Sequence, residues 1–408
     1  MEDKSVPTLL ISANVGSIFE DPQVLLNIWM KEILQVIRCC QPKFFALHCQ
    51  EVGGKNYRES MQYVDRFLRT LLSSEELKPF GHKRIFLDEE FTCPEIFTAL
   101  GSLYFIHNSL KDVHIWDFHG SKFVPLIGEE VHKGNIEHVE IKEKSKFPSE
   151  LFPENKGSRK GFMRTRWKIS HTIFDMINVH LFHDESNFIA IEDCPSRYSK
   201  NRQQALEYIL KRISVDPYEK TPFFIFGDFN FRLDTKGVVQ KLTSQTVPVY
   251  VKSAKNGEIE KILYKDPQNE NKVVLTLERK VFDFDRHQET FATINKWLQE
   301  YDREPKVFEE FFEFDITFPP SYPFKEDPSG KSYMRTRCPS WCDRILLSKS
   351  ALSIINMTPL DGSYCPVVYQ LVGAHVGMGD HKPVMLMCNL LRHTDGDDHR
   401  KSSQVFSV

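Results

Sequence analysis

No apolar stretch in this 408-residue chain approaches the roughly 18 residues of a spanning helix, so none is expected. The N-terminus, MEDKSVPTLLISAN, has no basic n-region and too short an apolar run for a signal peptide. None of the nine cysteines falls into a Cys-x-x-Cys pair, which argues against structural zinc. Most of them lie in or beside apolar runs, where a free thiol behaves as a small hydrophobe. A basic excess is missing too: the net charge is −3 and the pI about 6.6. That speaks against a duplex nucleic-acid binder while leaving room for a local cationic pocket. Repeats and low-complexity linkers are absent. Together these absences point to a reduced, cytoplasmic setting.

What the chain does have is material for a core. Its hydrophobic content is 41% and its aromatic content 12%, led by 32 Phe. The length allows one large α/β domain or two ordinary ones. Strand-like runs are expected at 8–12, 43–48, 84–87, 98–106, 162–170, 173–181, 222–226, 344–347 and 383–390. Helical patterns alternate with them. Asp21-Pro22 is expected to open a helix, with Asp as cap and Pro in the first turn, and Leu25, Trp29, Ile33 and Ile37 along one face. Further helices are expected over 57–72 and 202–213, and a helix end over 307–314. This alternation suggests packed sheets covered by helices. Segments 118–152 and 247–280 read as insertions on one domain spanning 1–392. From His393 the composition is that of a disordered tail.

The most informative stretch is FFIFGDFNFRLD, residues 223–234. An apolar run delivers Asp228, Asn230 and Arg232 at every second position. In extended chain these share one side, about 6–7 Å apart, with Phe229, Phe231 and Leu233 on the other. A carboxylate can hold or deprotonate water, an amide can orient it, and a guanidinium can clamp an anion. The competing reading is a strand running out into a solvated Gly-Asp turn.

Other polar groups cluster at the ends of apolar runs. Asn14 follows LLIS, Gln50-Glu51 follows FFALHC, and Asn178 and His180 sit two apart in DMINVHLFHD. Asp343 and Arg344 lie in TRCPSWCDRIL with Arg335 and Arg337 just before, and Asp380-His381 precedes a late strand. Their repetition suggests one shared pocket at an edge of the sheets. The ligand inventory is hard, carboxylates and amides, which suits Mg²⁺. Glu51 is the best candidate ligand, with Asn14 beside it; otherwise it is an ordinary loop acid. His180 and His381 stand out among the histidines because each adjoins another candidate, and Asp343 is the candidate orienter of His381. His183 reads equally well as a solvated loop residue. The run KGSRKGFMRTRW, with Lys156, Arg159, Lys160, Arg164 and Arg166, is either a solvated hairpin face or an anion-binding rim. HCQEVGGK, residues 48–55, looks like a cysteine-phosphatase loop but ends in Lys55 where such loops need arginine.

Two motifs then carry a family resemblance. FGDFNFR at 226–232 resembles WxGDxNxR, and RCPSWCDRIL at 337–346 resembles RxPxWCDRIL, of the inositol polyphosphate 5-phosphatases. These belong to the magnesium-dependent endonuclease/exonuclease/phosphatase superfamily. Asn14, Gln50-Glu51, Asn178-x-His180 and GDHKPV at 379–384 support the match. ANVGS, SRKGF-RTRW and FPPSYP make it most similar to the type I branch.

The resemblance implies an α/β fold, a four-layer sandwich of two packed mixed β-sheets flanked by helices. It implies removal of the 5-phosphate from soluble inositol 1,4,5-trisphosphate and 1,3,4,5-tetrakisphosphate. Glu51, Asn14 and Asp380 would sit at Mg²⁺. Asp228 and Asn230 would handle the attacking water. His180 and His381, the latter backed by Asp343, would contact the scissile phosphate. Lys160, Asn178, Arg202, Arg232, Tyr322, Arg335 and Arg337 would bind substrate. The alternatives are a phosphoinositide lipid 5-phosphatase and a Mg²⁺-dependent nuclease on the same fold. A monomer is expected, with no nucleic-acid partner and at most transient contact with a membrane surface.

Two departures stand out. Tyr322 is followed by Pro323 where many members have lysine, which puts one phosphate contact in question. The last four residues, 405–408, contain no cysteine, so the type I prenylation box is not expected to act here.

Overall fold

Two seven-position β-sheet paths, stacked face to face, organise the chain. A computed structural model describes residues 5–155, 157–218, 220–294, 296–358 and 367–392. The expected tail, 393–408, lies outside the described residues.

From edge to edge, the first sheet contains Val368–Leu371, Val384–Leu391, Ser5–Asn14, Phe44–Gln50, Gly101–Ile106, His82–Asp88 and Glu129–Gly134. The second contains Phe311–Phe312, Asp343–Ser348, Phe223–Asp228, Thr172–His180, Gly161–Ile169, Val113–Asp117 and Lys122–Pro125, with Glu143–Lys146 added beside Gly161–Ile169. Central strands read as nearly continuous apolar runs because both of their faces are covered. Leu10, Phe44, Ala46 and Tyr104 of the first sheet meet Met163, Trp167, Phe174, Met176, Phe224 and Phe226 of the second in one core.

The outer faces are closed by helices. Helix Leu25–Cys40 buries Leu25, Trp29, Ile33 and Ile37, spaced by four, against Leu9, Ile11, Phe45 and Leu47. Each such side chain contributes about 1.5–3 kcal/mol by leaving water. Helix Arg197–Ser214 lays Ala205, Leu206 and Ile209 on Ile177, Val179 and Ile225. The result is the four-layer sandwich that the resemblance implied.

Register places the chemistry. Ser5–Asn14 and Phe44–Gln50 run parallel with Asn14 opposite Gln50. Thr172–His180 and Phe223–Asp228 run parallel with His180 opposite Asp228, and Asp228 faces Asp343 on the antiparallel neighbour. The C-terminal ends of four parallel strands therefore open at one rim, the usual ligand edge of α/β sheets.

Some local expectations shift. The first long helix begins at Leu25; Asp21 instead accepts the Val24 N–H at 3.3 Å, so Pro22 sits in a turn before the helix. The 57–72 helix is broken into Tyr57–Ser60, a 3₁₀ turn Met61–Tyr63 and Val64–Leu72. There the Ser60 hydroxyl bonds back to the Asn56 carbonyl. The helix end expected over 307–314 is a 3₁₀ turn, Pro305–Val307, and a short edge strand, Phe311–Phe312. The aromatic pair finds the pleated edge at Leu347–Ser348 a better surface than a helix.

Segment 118–152 supplies Lys122–Pro125, Glu129–Gly134 and Glu143–Lys146 to both main sheets. Segment 247–280 lies within a separate four-stranded sheet spanning Val247–Lys252, Ile259–Asp266, Lys272–Glu278 and Val281–Phe284. Asn187 ties that sheet to the rim, donating to the carbonyls of Glu278, Val281 and Thr336.

Candidate active site

The strand 223–228 ends at Asp228, and Asn230 adopts a left-handed backbone with φ 51°. The alternation expected of an extended chain therefore stops at Asp228, four residues short of Arg232. A tight turn still gathers the three polar groups. The Asn230 N–H donates to Asp228 Oδ1 at 2.9 Å and Arg232 Nη2 donates to Asn230 Oδ1 at 2.8 Å. Phe229 and Phe231 stack in the core with centroids 5.1 Å apart.

Asp228, only 1% exposed, is the hub. Its Oδ2 accepts from Asn14 Nδ2 at 3.0 Å and lies 3.3 Å from His180 Nε2 and 3.9 Å from His381 Nε2. Burial works against its charge. His381, His180 and Lys160 outweigh burial and hold its pKa far below the usual carboxylate range.

Behind His381 stands Asp343, whose Oδ2 accepts from Nδ1 at 2.8 Å and from the Ser321 hydroxyl at 2.8 Å. Burial raises Asp343 to about 6. Burial also disfavours the His381 cation, but Asp343 and Asp228 overcome it and lift His381 to about 9. At neutral pH the two form an ion pair. On the other flank the Lys160 amine meets His180 Nε2, and burial lowers that lysine to about 8. Burial and then Lys160 lower the pKa of His180, against the pull of Asp228 and Glu51.

Glu51 Oε2 is buried with no hydrogen-bond partner. A Cβ placed on Gly16 would come within 2.6 Å of that oxygen and 3.3 Å of Asn14 Oδ1. Glycine thus keeps open a cradle faced by two hard oxygens. Burial opposes the Glu51 charge, but His180, Lys160, Arg159 and Lys55 bring its pKa down to about 2. An ionised, unpartnered carboxylate beside an amide oxygen fits a hard divalent cation. Asp228, Asp343 and His381 also place ligand atoms within 4.8 Å of one another. A protonated His381 is no ligand, so the Glu51–Asn14 cradle is the better fit.

Arg232 keeps donors free beside the hub. Its guanidinium lies 4.5 Å from the Tyr322 ring centroid, and its buried Nε and Nη1 have no protein partner. Tyr322 in turn packs on His381, with ring centroids 4.4 Å apart.

The model of endonuclease/exonuclease/phosphatase family 2 matches residues 117–290 and 279–387. The chain is 47% identical over 386 residues to inositol polyphosphate-5-phosphatase A of Homo sapiens, covering 94% of this chain and 93% of that protein. The chain belongs to the inositol polyphosphate 5-phosphatase family. It is 36% identical to the probable type I inositol 1,4,5-trisphosphate 5-phosphatase of Caenorhabditis elegans, over 94% of this chain and 100% of that one. A solved structure of Cimex nitrophorin, the F64V mutant in its ferrous NO complex, shares the fold. There the TM-score is 0.52 at 14% identity, covering 95% of this chain and 99% of that one. This 5-phosphatase is accordingly a hydrolase.

Several residues expected at the substrate of the 5-phosphatase are engaged by protein groups in this structure. Arg202 donates to Glu304 at 2.7 and 2.6 Å, to Asp184 at 2.6 Å and to the Phe182 carbonyl at 3.0 Å. Arg337 spends itself on the carbonyls of Arg279, Thr336, Asp184 and Glu185. Arg335 is exposed and paired with Asp283. Asn178 is fully buried, accepting from Gln50 Nε2 at 2.8 Å and donating to the carbonyls of Cys49 and Gly101. Its polar ends brace one sheet on the other. Asp380, expected at the metal, takes the Ser17 hydroxyl at 2.8 Å and the Lys55 ammonium at 3.0 Å.

Within the basic run, Arg164 and Arg166 are buried partners of Asp175 and Asp216. Arg159 covers Tyr57 and Lys160 reaches the site, while Lys156 lies outside the described residues. Cys49 is fully buried and burial drives its pKa up, so it cannot serve as a thiolate nucleophile. His183 is exposed.

Ser17, Ser321 and Gly16 were given no role by sequence reasoning. SYP and ANVGS contain them, but a serine or glycine beside a motif has no signature of its own until its partner is in place.

Proposed function

We propose that this protein uses Mg²⁺ to remove the 5-phosphate from soluble inositol 1,4,5-trisphosphate and inositol 1,3,4,5-tetrakisphosphate. In the cytoplasm that reaction would end inositol trisphosphate and calcium signalling. The observation that carries the reading is Asp228: one buried carboxylate met by Asn14, His180 and the Asn230 backbone, and flanked by the His381–Asp343 pair. The relatives' names supply the substrate class, since one of them specifies inositol 1,4,5-trisphosphate.

Mg²⁺ at Glu51 and Asn14 would supply positive charge against the transferring phosphoryl group. The remaining work belongs to the side chains. Asp228 aligns the attacking water and takes its proton as the oxygen–phosphorus bond forms; the bond to the ring oxygen breaks, and that oxygen leaves as a hydroxyl with a proton from solvent water. Strong acidity makes Asp228 a weak base, which suits a loose transition state needing little prior deprotonation. Protonated His381 donates to a phosphoryl oxygen, and Asp343 fixes its ring. Arg232 clamps a neighbouring phosphate, with Tyr322 beneath it.

An observation that favours a lipid substrate is the strand Val247–Lys252, exposed along its whole length with Val247, Val249, Tyr250 and Val251. The deciding experiment measures phosphate release from the trisphosphate, the tetrakisphosphate and phosphatidylinositol bisphosphate, each with Mg²⁺ or EDTA. Release from the two soluble substrates, and only with Mg²⁺, is expected. Turnover of lipid alone would refute the substrate assignment, and turnover in EDTA the metal requirement.

A further inference from the structure

Lys55, the last residue of HCQEVGGK, clasps two carboxylates. It follows Glu51 by four residues, in a turn closed by the Gly54 N–H donating to the Glu51 carbonyl at 2.9 Å. Its ammonium lies 3.0 Å from Asp380 Oδ2 and 3.0 Å from Glu326 Oε1. Among the described residues no other cation comes within ion-pair distance of either acid. Between the two acids sits Ser17. Its Oγ is 2.8 Å from Asp380 Oδ1 and 2.8 Å from Glu326 Oε1, and it accepts the Asp380 N–H at 3.1 Å. One hydroxyl hydrogen cannot satisfy two carboxylates. Lys55 is therefore the group that offsets their repulsion.

Each acid belongs to a different piece of the rim. Asp380 precedes His381 in the chain. Glu326 lies in a hairpin over 322–334, closed by the Lys325 N–H to the Ser332 carbonyl and the Met334 N–H to the Pro323 carbonyl, both at 2.8 Å. At its base Tyr322 packs on His381 and against the Arg232 guanidinium. The hairpin also rests on the segment that leads to His381. Its Phe324 N–H donates to the Asp380 carbonyl at 2.8 Å, and its Pro328 carbonyl accepts from the Gly377 N–H at 2.9 Å. A change at Lys55 would thus reach His381 and Tyr322 together, with the Glu51 turn as the anchor.

We infer that Lys55 is a positioning residue, which bridges Asp380 and Glu326 and so holds His381 and Tyr322 in register with the Glu51 turn. The proposal rests on the reading under Proposed function and deepens it.

Steady-state kinetics on inositol 1,4,5-trisphosphate with saturating Mg²⁺ test it in wild type, Lys55→Met, Lys55→Arg and the double variant Lys55→Met with Glu326→Gln. Lys55 is exposed, so Lys55→Met should keep the circular dichroism spectrum of wild type. Its kcat should fall by about 10–100-fold, the scale of a misplaced catalytic group, with KM within about twofold of wild type. Lys55→Arg can still bridge both acids and should recover most of the lost kcat. The double variant removes one of the two repelling charges, so its kcat should exceed that of Lys55→Met alone. A raised KM at unchanged kcat would make Lys55 a substrate contact and overturn the positioning role. Unchanged kcat in Lys55→Met, or a double variant slower than Lys55→Met, would overturn it as well. A wild-type chain that releases no phosphate would instead refute the underlying reading, so the two failures are distinguishable.

Discussion

Asp343 Oδ2 stands 2.8 Å from His381 Nδ1, and the Ser321 hydroxyl grips the same oxygen at 2.8 Å. This directs His381 Nε2 toward Asp228, 3.9 Å away. It also keeps the ring protonated up to about pH 9. Activity that needs the imidazolium should therefore fall as pH rises through about 9. Asp343→Asn should lower turnover by on the order of 10²–10⁴ and move that alkaline limb to lower pH. A pH–rate profile of kcat checks both, and an unmoved limb would refute the role of Asp343.

The same shift bears on stability. The folded pKa of His381, about 9, lies above its ordinary 6.5. Its contribution is complete below about pH 6.5 and disappears as pH rises through about 9. Thermal melts should show wild type above His381→Asn at pH 6, with the gap closing above pH 9.

Asp228→Asn keeps the shape of the hub but removes its charge. Turnover should drop by on the order of 10²–10⁴ while the circular dichroism spectrum stays that of wild type. Near-normal turnover would remove Asp228 from the mechanism.

Arg232 and Arg202 should separate binding from folding. Arg232 has free Nε and Nη1, so Arg232→Met should raise KM by about 10–100-fold with little change in denaturation midpoint. Arg202 neutralises buried Asp184 and Glu304, so Arg202→Met should cost about 3–5 kcal/mol of stability. Urea unfolding and steady-state kinetics on both variants read the contrast.

Gly16→Ala tests the oxygen cradle. The new methyl would press on Glu51 Oε2, so the Mg²⁺ concentration for half-maximal activity should rise by about tenfold or more. Glu51→Gln should do the same through loss of charge. Titrating Mg²⁺ into EDTA-stripped enzyme measures both.

Much of the fold was legible because apolar runs, and the spacing of Leu25, Trp29, Ile33 and Ile37, record burial locally. Boundaries were less legible where a side chain competed with the backbone, as at Ser60, or where an edge offered pairing, as at Phe311–Phe312. In the site, Asp228, Asn230, His180, His381, Asp343, Glu51 and Asn14 could be chosen because polar groups at the ends of apolar strands stand out. The structure gathers them at one rim by strand register.

The sequence alone therefore determined the layered fold and the chemical inventory of the rim, since both follow from residue type and short-range spacing. Tertiary structure decided which cations remain available. Arg202, Arg232 and Arg337 look alike along the chain. The partner of Arg202, Glu304, is 102 residues away, and beside its neighbour Thr336 the carbonyls holding Arg337 come from two distant segments, at Arg279 and at Asp184–Glu185. Only long-range packing could leave Arg232 with free donors, because neutralisation depends on distance in space and not on distance in sequence.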